Sequence, residues 1–256
     1  MTGGAAVLPL AGEEEPVRFV VIDDEPHYRA RQPAIEIADR LLQVGDYGSV
    51  DTFLAVQREP CHVVVLDLCL DNRRSDRTVT QGVVAVRLLA EQFGHRVLVH
   101  SADGRPDPVA RCVAAGALGY VSKYSPEGLF VAIEEIGRHG RIVTPELEEA
   151  LRLMVRRAID ISPSQTVQET LVLLQRGATD AEVAAARNVS VRTVEDHKMK
   201  ILSLYGAYME EHRVGFEGLA RDLGLAPGDL VNDEPGARPR RGFIASRMPW
   251  SRKPRT

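Results

Sequence analysis

Several things are scarce or missing in this sequence. Cysteine is limited to Cys61, Cys69 and Cys112, an odd count with no paired spacing, which argues against a disulfide framework and for a reducing cytosol. No apolar run approaches the ~20 residues that span a bilayer. The opening stretch, residues 1–16, has a short apolar segment without a basic residue before it, so it lacks the pattern of a secretory signal. A surplus of positive charge is also missing: 32 Lys and Arg stand against 36 Asp and Glu, a formal net charge of −4. Any nucleic-acid surface must therefore be local. There is no internal repeat. These absences predict a cytoplasmic chain without a membrane partner.

What remains is an ordinary soluble composition, 44% apolar and 27% charged, in 256 residues, enough for two domains. Residues 1–16 read as a disordered leader. From Val17 short apolar runs alternate with helical stretches. The runs Arg18 to Asp23, His62 to Asp67, Arg96 to Ser101 and Gly119 to Lys123 read as buried parallel strands, and Ser49 to Phe53 as a weaker one. Five strands alternating with helices predict a doubly wound α/β domain over 17–140, closed by a helix near Pro126 to Arg138. Thr144 to Ile159, with Pro145 in its first turn, reads as a helical linker within 141–160. Residues 161–226 lack strand patterns and predict a small all-α domain of about four helices, punctuated by Gly177, Asn188-Val189-Ser190, Gly206 and Gly224. Residues 227–256 turn to Pro, Gly and Arg and read as a disordered basic tail.

The chemistry of the first half collects at strand ends, where open α/β sheets place their sites. Asp23 and Asp24 end the first strand, Asp67 the third, Ser101 the fourth and Lys123 the fifth. Carboxylates meeting at one rim repel each other. A hard divalent cation such as Mg²⁺, which takes oxygen ligands, relieves that repulsion. Aspartate can form an acyl phosphate, which makes Asp67 the natural acceptor. Lys123 and the Ser101 hydroxyl would then hold phosphoryl oxygens. A single Asp at a strand end is usually only a cap. The joint set is what carries the reading.

The pieces VVIDDEP, VVVLDL, VHSAD and GYVSK resemble the receiver domains of two-component response regulators, over about Val17 to Arg138. The resemblance implies that Asp23, Asp24 and Asp67 bind Mg²⁺ with the backbone carbonyl of Cys69, and that Asp67 is phosphorylated. It also implies that Ser101 and Tyr120 shift to report the phosphate. One departure follows the acceptor: a long charged segment from Leu70 to Gly82 carries Arg73, Arg74 and Arg77 where the family has a short Met-Pro turn. It reads as a solvated loop or as a modifier of access to the phosphate. A phosphohydrolase of the haloacid-dehalogenase type needs a second Asp two residues after the nucleophile. Cys69 stands there, so the chain is not expected to be a dedicated enzyme, although the receiver assists its own phosphorylation and dephosphorylation.

In the second half, Thr179 or Asp180 can cap one helix, Asn188 suits a left-handed position at its end, and Ser190 can cap the next. On a helical wheel Val194, Ile201 and Tyr205 share the buried side. Arg192, Glu195, Asp196, Met199 and Ser203 share the outer one, flanked by Thr193 and Lys200. The pieces ISP, LLQRGATDAEVA, VSVRTVEDHKMKIL and HRVGFEGLARDLGL resemble the LuxR-type helix-turn-helix of NarL/FixJ regulators, over roughly Ile161 to Leu225. That resemblance implies binding of promoter DNA by the outer face together with Thr179. It implies a homodimer through Val214, Leu219 and Leu223, and a sensor histidine kinase as phosphoryl donor. Two departures weigh on DNA binding: the outer face carries two acids, and Arg187 occupies a position usually apolar. A regulator acting by protein–protein contact, or without phosphorylation, is the alternative reading.

Overall fold

Buried apolar runs are extended where both faces of a strand can be covered, and here four of them belong to one parallel sheet. They are β1 (Val17–Ile22), β3 (Val63–Leu66), β4 (Val97–Ser101) and β5 (Ala117–Ser122). The structure is a computed structural model; it describes residues 7–211 apart from 32, 34–37, 58, 71–79, 125–126, 158–160 and 162. β2 (Leu41–Tyr47) completes the sheet in the order β2-β1-β3-β4-β5, with every pairing parallel. This is the doubly wound order whose direction reverses between β1 and β3, and ligands in such sheets sit at that reversal.

The sequence reading placed a strand at Ser49 to Phe53, and the structure corrects it. Val50–Val56 is the helix α2, because the Ser49 side chain accepts a hydrogen bond from the Thr52 amide and starts a helix instead. The true edge strand lies upstream and is irregular, its register shifting opposite Phe19 and Val20. Before it, α1 is a single turn, Pro26–Arg29, with no buried residue. α2, α3 (Gly82–Arg87, continued by a wider turn through Gln92) and α4 (Pro106–Ala114) cover one face of the sheet. α5 (Glu127–His139) covers the other, where Phe19, Val21, Val63, Val65 and Val121 meet Leu129, Phe130 and Ile133.

The sequence reading also set residues 1–16 aside as disordered. Residues 7–16 are instead placed against the sheet. Val7 bridges to Cys61, the Leu8 amide donates to the Cys61 carbonyl (3.1 Å) and the Ala11 amide to the Gly137 carbonyl (2.9 Å). Ala11 joins the α5-side core, helping to cover a face that the short α1 leaves thin.

The remaining helices are α6 (Pro145–Arg157), α7 (Gln165–Gln175), α8 (Asp180–Arg187) and α9 (Val191–Glu211). They do not stand apart. Leu147, Leu151 and Met154 of α6 and Ile201, Leu202, Tyr205 and Met209 of α9 belong to the same buried cluster as Val109, Ala110 and Val113 of α4. Gly206, expected to punctuate the chain, lies buried inside α9 where that helix crosses α4. No helix among the described residues is long and apolar enough to cross a membrane.

His95 gives this core an acid-sensitive point. It is buried, its Nε2 has no hydrogen-bond partner among the described residues, and its ring packs edge-on against Phe53 at 5.2 Å. Burial pushes its pKa down to about 4. Between about 4 and 6.5 the unfolded chain therefore binds a proton that the native state refuses. Stability falls as pH drops through that window, by about 1.4 kcal/mol per unit. His95→Leu is expected to flatten the pH dependence of urea unfolding between pH 7 and 4.5 relative to wild type. An unchanged slope would show that His95 is free to charge in the folded protein.

Candidate phosphoacceptor site

The backbone ladder of the sheet runs one residue past the strand ends and fixes the site. The Asp23 amide donates to the Tyr47 carbonyl (3.0 Å), the Asp67 amide to Ile22 (2.9 Å) and the Lys123 amide to Ser101 (2.9 Å). Asp23, Asp67, Ser101 and Lys123 are thereby held on one rim, and all four are buried. Carboxylate oxygens of Asp23, Asp24 and Asp67 lie within 4.8 Å of one another. The Lys123 ammonium sits between two of them, 2.8 Å from Asp23 Oδ2 and 2.9 Å from Asp67 Oδ2.

Electrostatics follow from that geometry. Burial raises the Asp23 pKa, partly offset by the Lys123 ammonium beside it and by the hydrogen bond from the Glu25 amide. Burial works to lower the Lys123 pKa, but the two carboxylates paired with it outweigh that and leave it raised. Asp23 Oδ2 is buried, and its ion pair with Lys123 lacks the direction of a good hydrogen bond. A clustered, all-oxygen donor set with an incompletely satisfied buried carboxylate suits a hard divalent cation. Cys69 follows Asp67 by two residues with its side chain exposed.

Ser101 and Tyr120 occupy the neighbouring strands. Ser101 Oγ accepts from the Asp103 amide at 3.2 Å. The Tyr120 ring is fully buried, and its hydroxyl donates to the Asp103 carbonyl. Both side chains thus meet the segment just after β4. The 71–79 portion of the charged loop lies outside the described residues.

Sequence reasoning missed three residues here. The Tyr28 ring lies over the Lys123 ammonium, 4.0 Å from it, with the Arg31 guanidinium carbon 4.7 Å from the same ring centre and His100 edge-on at 5.7 Å. Nothing in the local pattern of α1 signals a contact with a residue so far along the chain.

The second domain follows its predicted caps. Thr179 and Glu182 form a reciprocal capping box at the start of α8, which takes the cap from Thr179 rather than Asp180. Asn188 is left-handed (φ 53°), and Ser190 accepts from the Thr193 amide at 3.0 Å to start α9. Val194 packs with Val183 and Ala184 as the core of the α8–α9 pair. Lys198, which sequence reasoning did not single out, is buried and reaches Asp180 at 2.6 Å and Glu148 of α6.

No family model matches the chain. It is 24% identical over 203 residues to a probable transcriptional regulatory protein, SgaR, of Hyphomicrobium methylovorum, covering 78% of this chain and 90% of that one. It is 28% identical over 198 residues to the response regulator RamR of Streptomyces coelicolor, covering 75% and 91%. Among solved structures, RcsB of Salmonella enterica serovar Typhimurium bound to the P1flhDC promoter is 16% identical, with a TM-score of 0.47 over 84% of this chain and 96% of that one. Over about three quarters of its length the chain is thus similar in sequence to response regulators and transcriptional regulators.

The outer face of α9, expected from the sequence to meet DNA, is turned onto the end of α5 and the segment that follows it. Arg192 donates to the His139 carbonyl and pairs with Glu195 at 3.6 Å, and Asp196 pairs with Arg141. Met199 packs against the shared core, Ser203 is half-buried, and Thr193 bonds Ser190. Of the predicted contact residues on α9, Lys200 and Asp196 are the exposed ones. Arg187, the departure on α8, caps the Thr166 carbonyl and pairs with Glu169 at 2.8 Å, so its charge is used within the domain. The dimer residues Val214, Leu219 and Leu223 and the basic tail lie outside the described residues.

Proposed function

We propose that this regulator accepts a phosphoryl group on Asp67 from the phosphohistidine of a sensor kinase, and that the modification releases its helix-turn-helix to bind promoter DNA as a homodimer. The observation that carries the reading is the meeting of Asp23, Asp24, Asp67 and Lys123 at the point where the sheet reverses direction. Mg²⁺ held by the three aspartates and the Cys69 carbonyl would supply charge neutralisation at the transferring phosphoryl group.

The chain's own groups do the rest. An Asp67 carboxylate oxygen attacks phosphorus, and the bond from phosphorus to the donor breaks with its electron pair leaving on the donor. Lys123, already 2.9 Å from Asp67, needs only to exchange a carboxylate for a phosphoryl oxygen. The Ser101 hydroxyl, which accepts from the Asp103 amide, donates its own hydrogen to a second phosphoryl oxygen. Reorientation of Ser101 acts on the Asp103 amide bonded to it, and the Asp103 carbonyl holds the Tyr120 hydroxyl, so the change is passed towards α4. α4 carries α9, and a shift in α4 alters the population of the closed arrangement. The receiver assists this chemistry on itself and is not a dedicated enzyme.

Incubation with acetyl phosphate and Mg²⁺ is expected to add one phosphoryl group, seen by intact mass, that is lost in Asp67→Asn and when the metal is chelated. Equal labelling of Asp67→Asn would place the acceptor elsewhere.

A further inference from the structure

The Lys123 ammonium is fixed from three sides. Asp23 and Asp67 hold it at 2.8 and 2.9 Å, and the face of the Tyr28 ring closes the third side at 4.0 Å. The ring is itself located by three more groups, the Arg31 guanidinium 4.7 Å from its centre, the buried His100 at 87° to its plane and the His27 ring 4.1 Å away. This arrangement contributes little to holding α1, a single turn that buries no residue. The ring therefore serves the cation it covers.

We propose that Tyr28 is a positioning residue for Lys123, holding the ammonium over Asp67 so that it meets the incoming phosphoryl oxygens. The proposal rests on Asp67 being the phosphoacceptor. Its physical basis is the negative face of an aromatic ring, which attracts a cation most strongly where water is excluded. The two ion pairs alone do not hold the ammonium in place during transfer. Asp67 must give up its contact as its oxygen attacks phosphorus, and Asp23 is also drawn towards the divalent cation. The ring is the one partner of the ammonium that the reaction leaves unchanged. Arg31 adds a second cation on the same ring, and its Nη1 is buried with no hydrogen-bond partner among the described residues. The ring cannot follow Lys123 outward without leaving Arg31.

The test compares wild type, Tyr28→Leu and Tyr28→Phe in the full chain, with phosphorylation by acetyl phosphate and Mg²⁺ followed by intact mass. Tyr28→Leu is expected to slow phosphorylation roughly tenfold, the size of a desolvated cation–aromatic contact. Tyr28→Phe, which keeps the ring, should stay near the wild-type rate. Calorimetric titration with Mg²⁺ alone should give the same affinity for all three, since the aspartates are untouched. In a Lys123→Gln background, Tyr28→Leu should add nothing further, because the two residues act through one group. Wild-type rates in Tyr28→Leu, an equal defect in Tyr28→Phe, a weakened Mg²⁺ affinity, or an additive effect on Lys123→Gln would each overturn the assignment. A wild-type protein that takes no phosphoryl group would instead sink the phosphoacceptor reading, and this proposal with it.

Discussion

Gly206→Ala is expected to part α9 from α4. A Cβ built on Gly206 falls 2.2 Å from the Ala110 carbonyl oxygen, 2.7 Å from its carbon and 2.8 Å from the Ala114 Cβ. Two of these are backbone atoms of another helix, so no side-chain rotation relieves the clash. Taken alone, the substitution favours the helix: alanine is better than glycine in a helix interior by about 1 kcal/mol. α9 should therefore persist while its crossing with α4 fails. Overpacking of this kind costs roughly 1–3 kcal/mol, enough to shift a two-state equilibrium by about fivefold to a hundredfold. The contacts that depend on the crossing go with it: the Arg87–Glu210 pair at 2.8 Å, the Arg141–Asp196 pair and the bond from Arg192 to the His139 carbonyl. Arg192, Met199 and Ser203 then become available to a duplex.

Two measurements check this. Amide exchange in α4 and α9 should accelerate in Gly206→Ala while β1 and β3 stay protected. Affinity of the unphosphorylated protein for duplex DNA should rise about tenfold or more, with a steeper salt dependence if new phosphate contacts form. Wild-type exchange and wild-type DNA affinity in this variant would show that the crossing does not restrain the recognition helix.

β1, β3, β4 and β5 were legible in the sequence because each is a short, mostly apolar run that is largely buried. Their carboxyl ends then brought Asp23, Asp67, Ser101 and Lys123 together without further information. β2 was not legible. Leu41–Tyr47 is a half-exposed edge containing Gly45 and Asp46 and a register shift, so it has neither a continuous apolar run nor a clean alternation. The caps at Thr179, Asn188 and Ser190 were legible because capping is local chemistry between residues three or four apart. Tyr28 over Lys123 and Lys198 between α6 and α8 were not, since both contacts join segments that only the finished fold brings close. Gly206 was misread for a related reason. Glycine weakens a helix by propensity, but here it answers the close approach of α4, which no local pattern records.

Lys198→Met is expected to destabilise the chain by roughly 2–3 kcal/mol. Lys198 is 3% exposed, and its ammonium binds Asp180 at 2.6 Å and Glu148, joining α9 to α8 and to α6. Methionine is close in length and fills the same space, so little packing is lost. What remains is a pair of carboxylates aimed at an apolar side chain with no cation between them. Breaking a fully buried pair by removing one partner costs about 3–5 kcal/mol. The figure here is lower because the side chains of Asp180 and Glu148 are 30% and 34% exposed and retain some water. Urea unfolding should show a reduced midpoint with an unchanged slope. Adding Glu148→Gln and Asp180→Asn to Lys198→Met should recover part of the loss, because neutral amides no longer repel each other. Two other outcomes would count against this account. A Lys198→Met protein as stable as wild type would mean that the carboxylates turn freely to solvent, and a triple variant no better than the single one would locate the loss in packing rather than in charge.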